Sequence, residues 1–208
     1  MKIALIGDSH TQIVWPVLTP ILEQQGHTIT TTQANAGWSA KKYMSTGMVD
    51  KVNEGDPDAV IVGLGGNNHD LSDKYGETIS QFLDKVGRNR RVVWIGAYTS
   101  DIKKAESTAK RHEWTSDYLA KILPKQNVVF IDTRPISQTG HRGDGVHFTR
   151  DEYKRMVNQM TPDILSGLTD TGMVRYMKKS LPLIMIISSV VGLGIWAYIK
   201  LQDKRHRR

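Results

Sequence analysis

Lys2-Ile3-Ala4-Leu5-Ile6-Gly7-Asp8-Ser9 opens with a short apolar run that ends at a glycine, a carboxylate and a hydroxyl. The apolar run is too short for the hydrophobic region of an export signal and reads as a strand, so no secretory leader is expected. Further β-rich runs that read as strands recur along the chain at Thr28–Thr32, Ala59–Leu64, Arg91–Ala97 and Val128–Asp132. Around Ile61, Val93 and Val129 successive residues are apolar, the pattern of strands buried on both faces of a parallel sheet.

Helical patterns separate these runs. One spans about Gln12 to Gln25 and stops at Gly26; a second, about Ala40 to Asn53, has Ser39 as its N-cap and ends before Gly55. In Tyr75–Arg88 the residues Ile79, Phe82, Leu83 and Val86 share one apolar face. Lys103–Leu123 ends at Pro124, and a last helix starts at Thr149, with Glu152 completing a capping-box pattern and Pro162 marking a bend or restart. This β-α alternation predicts an α/β three-layer sandwich around a mostly parallel sheet, whose site lies beyond the carboxyl ends of the strands.

Four motifs fall in that region: Gly7-Asp8-Ser9, Gly37 in Asn35-Ala36-Gly37, Gly65-Gly66-Asn67-Asn68, and Asp144-Gly145-Val146-His147. A serine hydroxyl needs a base to become a nucleophile, and a neutral imidazole such as His147 accepts a proton near physiological pH. Asp144, in a loop with Gly143 and Gly145, is close enough along the chain to fold back onto that ring and hold its tautomer. Acyl transfer also needs donors aimed at the developing oxyanion. Asn67 offers a side-chain amide, and Gly37 a backbone N–H where a side chain would obstruct close approach. Read singly, each motif is equally an ordinary turn: Gly-Asp-Ser a strand-to-helix turn, Asp144-Gly145 a turn with His147 packed or solvated beside Phe148. Their order along one α/β chain is what joins them. No Gly-x-Ser-x-Gly elbow occurs.

The set resembles the SGNH (GDSL-type) hydrolase family over roughly Met1 to Leu168. The resemblance implies a flavodoxin-like fold with a five-stranded parallel sheet between helices. It implies Ser9 as nucleophile, with Asp144 and His147 completing a triad, and an oxyanion hole made of the Ser9 N–H, the Gly37 N–H and Asn67. One departure is Asn68, where the family usually carries aspartate. His10, next to the nucleophile, is expected to face solvent, the alternative being a contact with substrate. His10, His69, His141 and His147 lack any tight ligand spacing, so no metal site and no cofactor is expected.

The chain has 208 residues and a formal charge of +7, but the excess is local. Residues 1–174 hold 20 Lys+Arg and 20 Asp+Glu, whereas residues 175–208 hold eight basic residues and one acid. Nucleic-acid binding by the folded domain is therefore not expected. Absence of cysteine removes disulfides, thiolate catalysis and Cys-based zinc sites.

Leu181–Ile199 is 19 residues without a charge, flanked by Arg175, Lys178 and Lys179 before it and by Lys200, Lys204, Arg205, Arg207 and Arg208 after it. As a helix it would span about 28 Å, close to a ~30 Å hydrocarbon core, with Tyr176, Trp196 and Tyr198 at interfacial depth. The expected organisation is a catalytic domain at 1–168, a linker and basic juxtamembrane segment at 169–180, a transmembrane helix at 181–199 and a basic tail at 200–208. The expected placement is a single-pass C-terminal tail anchor with the enzyme on the cytosolic side; a virion membrane accommodates the same arrangement. The functional expectation is a membrane-anchored serine ester hydrolase acting on acyl lipids, thioesters or O-acetyl groups. The alternative is a non-catalytic membrane or virion component that retains the fold for binding or assembly.

Overall fold

The computed structural model of the chain describes residues 1–169. Strands β1 (Lys2–Gly7), β2 (Thr28–Ala34), β3 (Ala59–Gly63), β4 (Arg91–Ile95) and β5 (Val129–Ile131) form one sheet, all neighbours parallel, in the order β2-β1-β3-β4-β5. Helices α1 (Thr11–Gln24), α2 (Ala40–Ser45), α3 (Met48–Glu54), α4 (Lys74–Val86), α5 (Glu106–Ile122) and α6 (Arg150–Thr169) connect or follow them. This is a five-stranded parallel α/β fold with the flavodoxin-type strand order.

Alternation of side chains along each strand divides the interior into two cores. Ile3, Leu5, Ile61, Val93 and Ile131 face one way and pack against Trp15 and Leu18 of α1 and Met156 and Met160 of α6. Ala4, Ile6, Val60, Val62 and Trp94 face the other way, against Tyr43, Val52, Ile79, Phe82 and Leu119 from α2 to α5. The apolar runs of β1, β3 and β4 are therefore strands covered on both faces, whereas the edge strand β2 has no buried residue. The chain leaves β1 toward β2 on one side and returns to β3 on the other, so the loops after β1 and β3 open at the point where strand order reverses.

Several boundaries differ from those expected from the sequence. The segment expected as one helix from Ala40 to Asn53 is two, because Gly47 adopts a left-handed conformation (φ 68°) between α2 and α3. Ser39 does cap α2, accepting from the Lys42 N–H at 3.4 Å. The fourth helical segment starts at Glu106 rather than Lys103, since Asp101 gathers the N–H groups of Lys103, Lys104 and Ala105 into a separate turn. Helix α6 runs unbroken past Pro162, so the expected restart does not occur. Only half of its capping box forms. Thr149 accepts from the Glu152 N–H at 3.3 Å, but the Glu152 carboxylate turns to Arg155 at 2.7 Å. Thr169, the first residue of the expected linker, is helical and is the last described residue. The rest of the linker, the transmembrane span and the basic tail lie outside the described residues. Among the described residues no helix is long and apolar enough to cross a membrane.

Candidate active site

Ser9 follows β1 in a turn held by backbone bonds. The Asp8 N–H donates to the Gly63 carbonyl at 3.2 Å, which ties the turn to the end of β3. Thr11 gives its N–H (3.1 Å) and its hydroxyl (2.7 Å) to the Asp8 carbonyl. The nucleophile candidate thus stands just before the first turn of α1, on backbone anchored to two central strands.

His147 arrives from the far end of the chain on a loop that doubles back on itself. His141 and Phe148 form an antiparallel bridge, the Arg142 N–H donates to the His147 carbonyl at 2.6 Å, and Asp101 donates its N–H to the Gly145 carbonyl at 2.7 Å. Inside this loop Asp144 Oδ1 accepts from the N–H groups of Val146 and His147, both at 2.9 Å. Its Oδ2 lies 2.8 Å from His147 Nδ1, and His147 Nε2 lies 2.9 Å from Ser9 Oγ. An ionised carboxylate only accepts, so the proton belongs on Nδ1 and Nε2 is left free to accept from the serine hydroxyl. Burial by itself pushes the Asp144 pKa up. The Val146 N–H, the His147 ring and the His147 N–H outweigh it and hold the carboxyl well below the usual range. Asp144 is therefore ionised at neutral pH, as an orienting partner must be.

The other two motifs close on the same turn. The Asn35 N–H donates to the Gly7 carbonyl at 3.0 Å, and its side-chain amide donates at 2.9 Å to the Tyr43 hydroxyl. That hydroxyl in turn donates to the Gly7 carbonyl at 2.7 Å. These bonds fasten the Gly37 loop to the end of β1. Asn67 Nδ2 lies 3.4 Å from the Trp38 carbonyl and 3.4 Å from Asp8 Oδ2, between the Gly37 loop and the Ser9 turn. Gly37 has a φ of +75°, a conformation that favours glycine, and a β-carbon there would meet no protein atom within 4 Å.

Asp8 is 3% exposed, and burial pushes its pKa up to about 7 against the opposing pull of the His10 and Asp8 N–H groups. His10 is also buried, contrary to the solvent-facing expectation. Helix α6 covers it, with Nδ1 2.8 Å from the Tyr153 hydroxyl and its ring stacked on Tyr98 at 4.9 Å. Burial, then the neighbouring His147 and His112, depress its pKa, which keeps it neutral. Asn68 ties the β3–α4 loop to itself, donating to the Asp70 carbonyl at 2.8 Å and accepting from the Asp70 N–H at 3.2 Å.

Four neighbours had no local signal in the sequence. His112 Nε2 (3.1 Å) and Arg111 Nε (3.2 Å) both meet the Gly66 carbonyl, next to Asn67, and Tyr43 and Tyr153 fasten the loops described above. Each lies within a helical pattern, with no motif around it to mark it. A cleft of about 510 Å³ opens beside Asn67, walled by Ser39, Lys41, Asp70, Tyr75 and Thr78. Among the described residues no group of three or more His, Asp or Glu side chains is placed to hold a metal.

No family model matches the sequence, and no curated protein matches it by sequence. In structure the chain is similar to a lipase/acylhydrolase from Enterococcus faecalis, at 17% identity and a TM-score of 0.65, covering 78% of this chain and 94% of that one. It is also similar to LAE5, an alpha/beta hydrolase enzyme from the metagenome of Lake Arreo, at 14% identity and a TM-score of 0.65, covering 82% and 96%. A variant of an acetyl xylan esterase from Geobacillus stearothermophilus aligns at 15% identity and a TM-score of 0.63, covering 81% and 94%. At these identities the likeness is one of fold.

Proposed function

We propose that this chain is a serine hydrolase of ester bonds, with Ser9 as nucleophile, His147 as general base and acid, and Asp144 as the orienting carboxylate. The observation that carries the reading is the unbroken line Ser9 Oγ, His147 Nε2, His147 Nδ1, Asp144 Oδ2, with spacings of 2.9 and 2.8 Å. In this reading Ser9 attacks the ester carbonyl while its proton passes to Nε2. The tetrahedral oxyanion takes hydrogen bonds from the Ser9 N–H, the Gly37 N–H and Asn67 Nδ2. Asn67 is suited to this because its present bonds are long, at 3.4 Å, and exchange for a charged acceptor at small cost. The imidazolium then protonates the departing alkoxide. Water, deprotonated by His147, hydrolyses the acyl-enzyme and returns the proton to Ser9.

The substrate class is a carboxylic ester, a thioester or an O-acetyl group. The hydroxyls and charges around the cleft beside Asn67 favour a polar alcohol or acyl portion. Ester cleavage is also the chemistry that the names of the lipase/acylhydrolase and the acetyl xylan esterase share. The apolar span 181–199, with its basic flanks, anchors this activity to a bilayer in the same proposal.

Treatment with a fluorophosphonate followed by peptide mass spectrometry tests the reading. The adduct is expected on Ser9 and is expected to vanish in Ser9→Ala. Folded protein that shows neither adduct nor hydrolysis of acetyl, longer-acyl and thioester substrates would favour a binding or assembly component instead.

A further inference from the structure

Beneath the candidate triad lies a closed cluster of four rings, His10, Tyr98, Phe148 and Tyr153. Every pair among them is in contact, with ring centroids from 4.9 Å (His10–Tyr98) to 6.2 Å (His10–Phe148). All four are buried. His10 directly follows Ser9 and Phe148 directly follows His147, so the two residues that must meet are each one peptide away from the same cluster. His10 also lies against His147 itself, with ring centroids 5.0 Å apart and planes tilted by 32°.

A polar contact runs through the cluster, His10 Nδ1 to the Tyr153 hydroxyl at 2.8 Å, and the same hydroxyl accepts from the Phe148 N–H. Its direction follows from chemistry. The phenol is the better donor, and the His10 ring is held neutral by burial, so Tyr153 Oη–H donates to an unprotonated Nδ1. Tyr153 is carried on the first turns of α6, whose N-terminal Thr149 accepts the Tyr153 N–H at 3.1 Å and follows Phe148. The bond therefore links the Ser9 turn to the segment that delivers His147, across 143 residues of sequence.

We infer that His10 and Tyr153 are positioning residues that set the Ser9–His147 geometry, the hydrogen bond fixing the distance and the ring cluster fixing the angle. The inference rests on the proposed roles of Ser9 and His147. A displacement of about 1 Å at such a pair costs on the order of 10²-fold in rate, so a contact that holds it is visible in kinetics. Both side chains are buried, so the loss of either is expected to act on kcat and leave KM alone.

Substitution in the full-length protein in mild detergent separates the bond from the ring. Tyr153→Phe keeps the ring and deletes the hydroxyl; it is expected to lower kcat and the rate of fluorophosphonate labelling of Ser9 by about 10- to 100-fold at unchanged KM. His10→Asn retains an acceptor close to the position of Nδ1, and is expected to keep several-fold more activity than His10→Leu, which has none. Rates are taken per folded molecule, from the near-ultraviolet circular dichroism of each variant. Folded Tyr153→Phe that labels at the wild-type rate would overturn the inference while leaving Ser9 as nucleophile. Equal activities of His10→Asn and His10→Leu would overturn it as well, and this pair decides the matter if Tyr153→Phe does not fold. Wild-type protein that fails to label at Ser9 would remove the reading beneath it, and the inference with it.

Discussion

Replacing Asp8 with asparagine is expected to change the pH dependence of stability in a direction opposite to that of most carboxylates. Asp8 is buried, and among the described residues its shortest side-chain contact is the His10 N–H, 3.1 Å from Oδ1. Burial carries its pKa from an ordinary 3.8 to about 7. Because the folded value is raised, the stabilising contribution of Asp8 is whole below about pH 4 and is lost as pH climbs through about 7. At ~1.36 kcal/mol per pH unit the full loss is about 4 kcal/mol, with roughly 3 kcal/mol of it between about pH 5 and about pH 8.5. His10 has a depressed pKa and adds a slope of the other sign over part of this range, so the quantity to follow is the difference between wild type and Asp8→Asn. Asp144, with its lowered pKa, loses its contribution only in acid below the window. Urea unfolding of the full-length chain in mild detergent, followed by the fluorescence of buried Trp15 and Trp94, measures that difference. Asp8→Asn is expected to gain on wild type from about pH 5 to about pH 7 and to level off by about pH 8.5. A difference that stays flat, or that moves in favour of wild type, would refute the assignment of a neutral buried carboxyl at this position.

Asn67→Ala is expected to lower kcat by about 10²–10³ with little change in KM, measured on a small soluble ester. Asp144→Asn is expected to lower kcat by roughly 10³–10⁴, since the amide no longer enforces the Nδ1–H tautomer; full activity would mean another group orients His147. Truncation after Gly172 is expected to yield a folded domain that needs no detergent and still cleaves a small ester, while full-length protein resists carbonate extraction from membranes. The contrary result, an unfolded fragment beside a full-length chain needing no detergent, would place 181–199 in the core.

What was legible in the sequence was whatever short-range patterning encodes. The inner strands showed because residues such as Ile61 and Val93 are apolar in succession, as a sheet covered on both faces requires, and β2 because Thr28–Thr32 is rich in β-branched residues. Ser9, Gly37, Asn67, Asp144 and His147 stood out because their four loop motifs follow in order along one α/β chain, although each read singly is an ordinary turn.

Tertiary structure alone decided the rest, because it depends on contacts between distant segments. The strand order places β1 between β2 and β3, and nothing in either segment states its neighbour. Ser9 and His147 are 138 residues apart, and their 2.9 Å separation follows from the packing of α6 and its preceding loop against the end of β1. Sequence placed His10 in water because a polar residue after a turn usually solvates, whereas Tyr98, Phe148 and Tyr153 close over it. Burial in the same region raises the pKa of Asp8, since a carboxylate removed from water is more stable as the neutral acid. A residue's type and its neighbours in sequence set its chemistry in water; only the fold determines how much of that water remains.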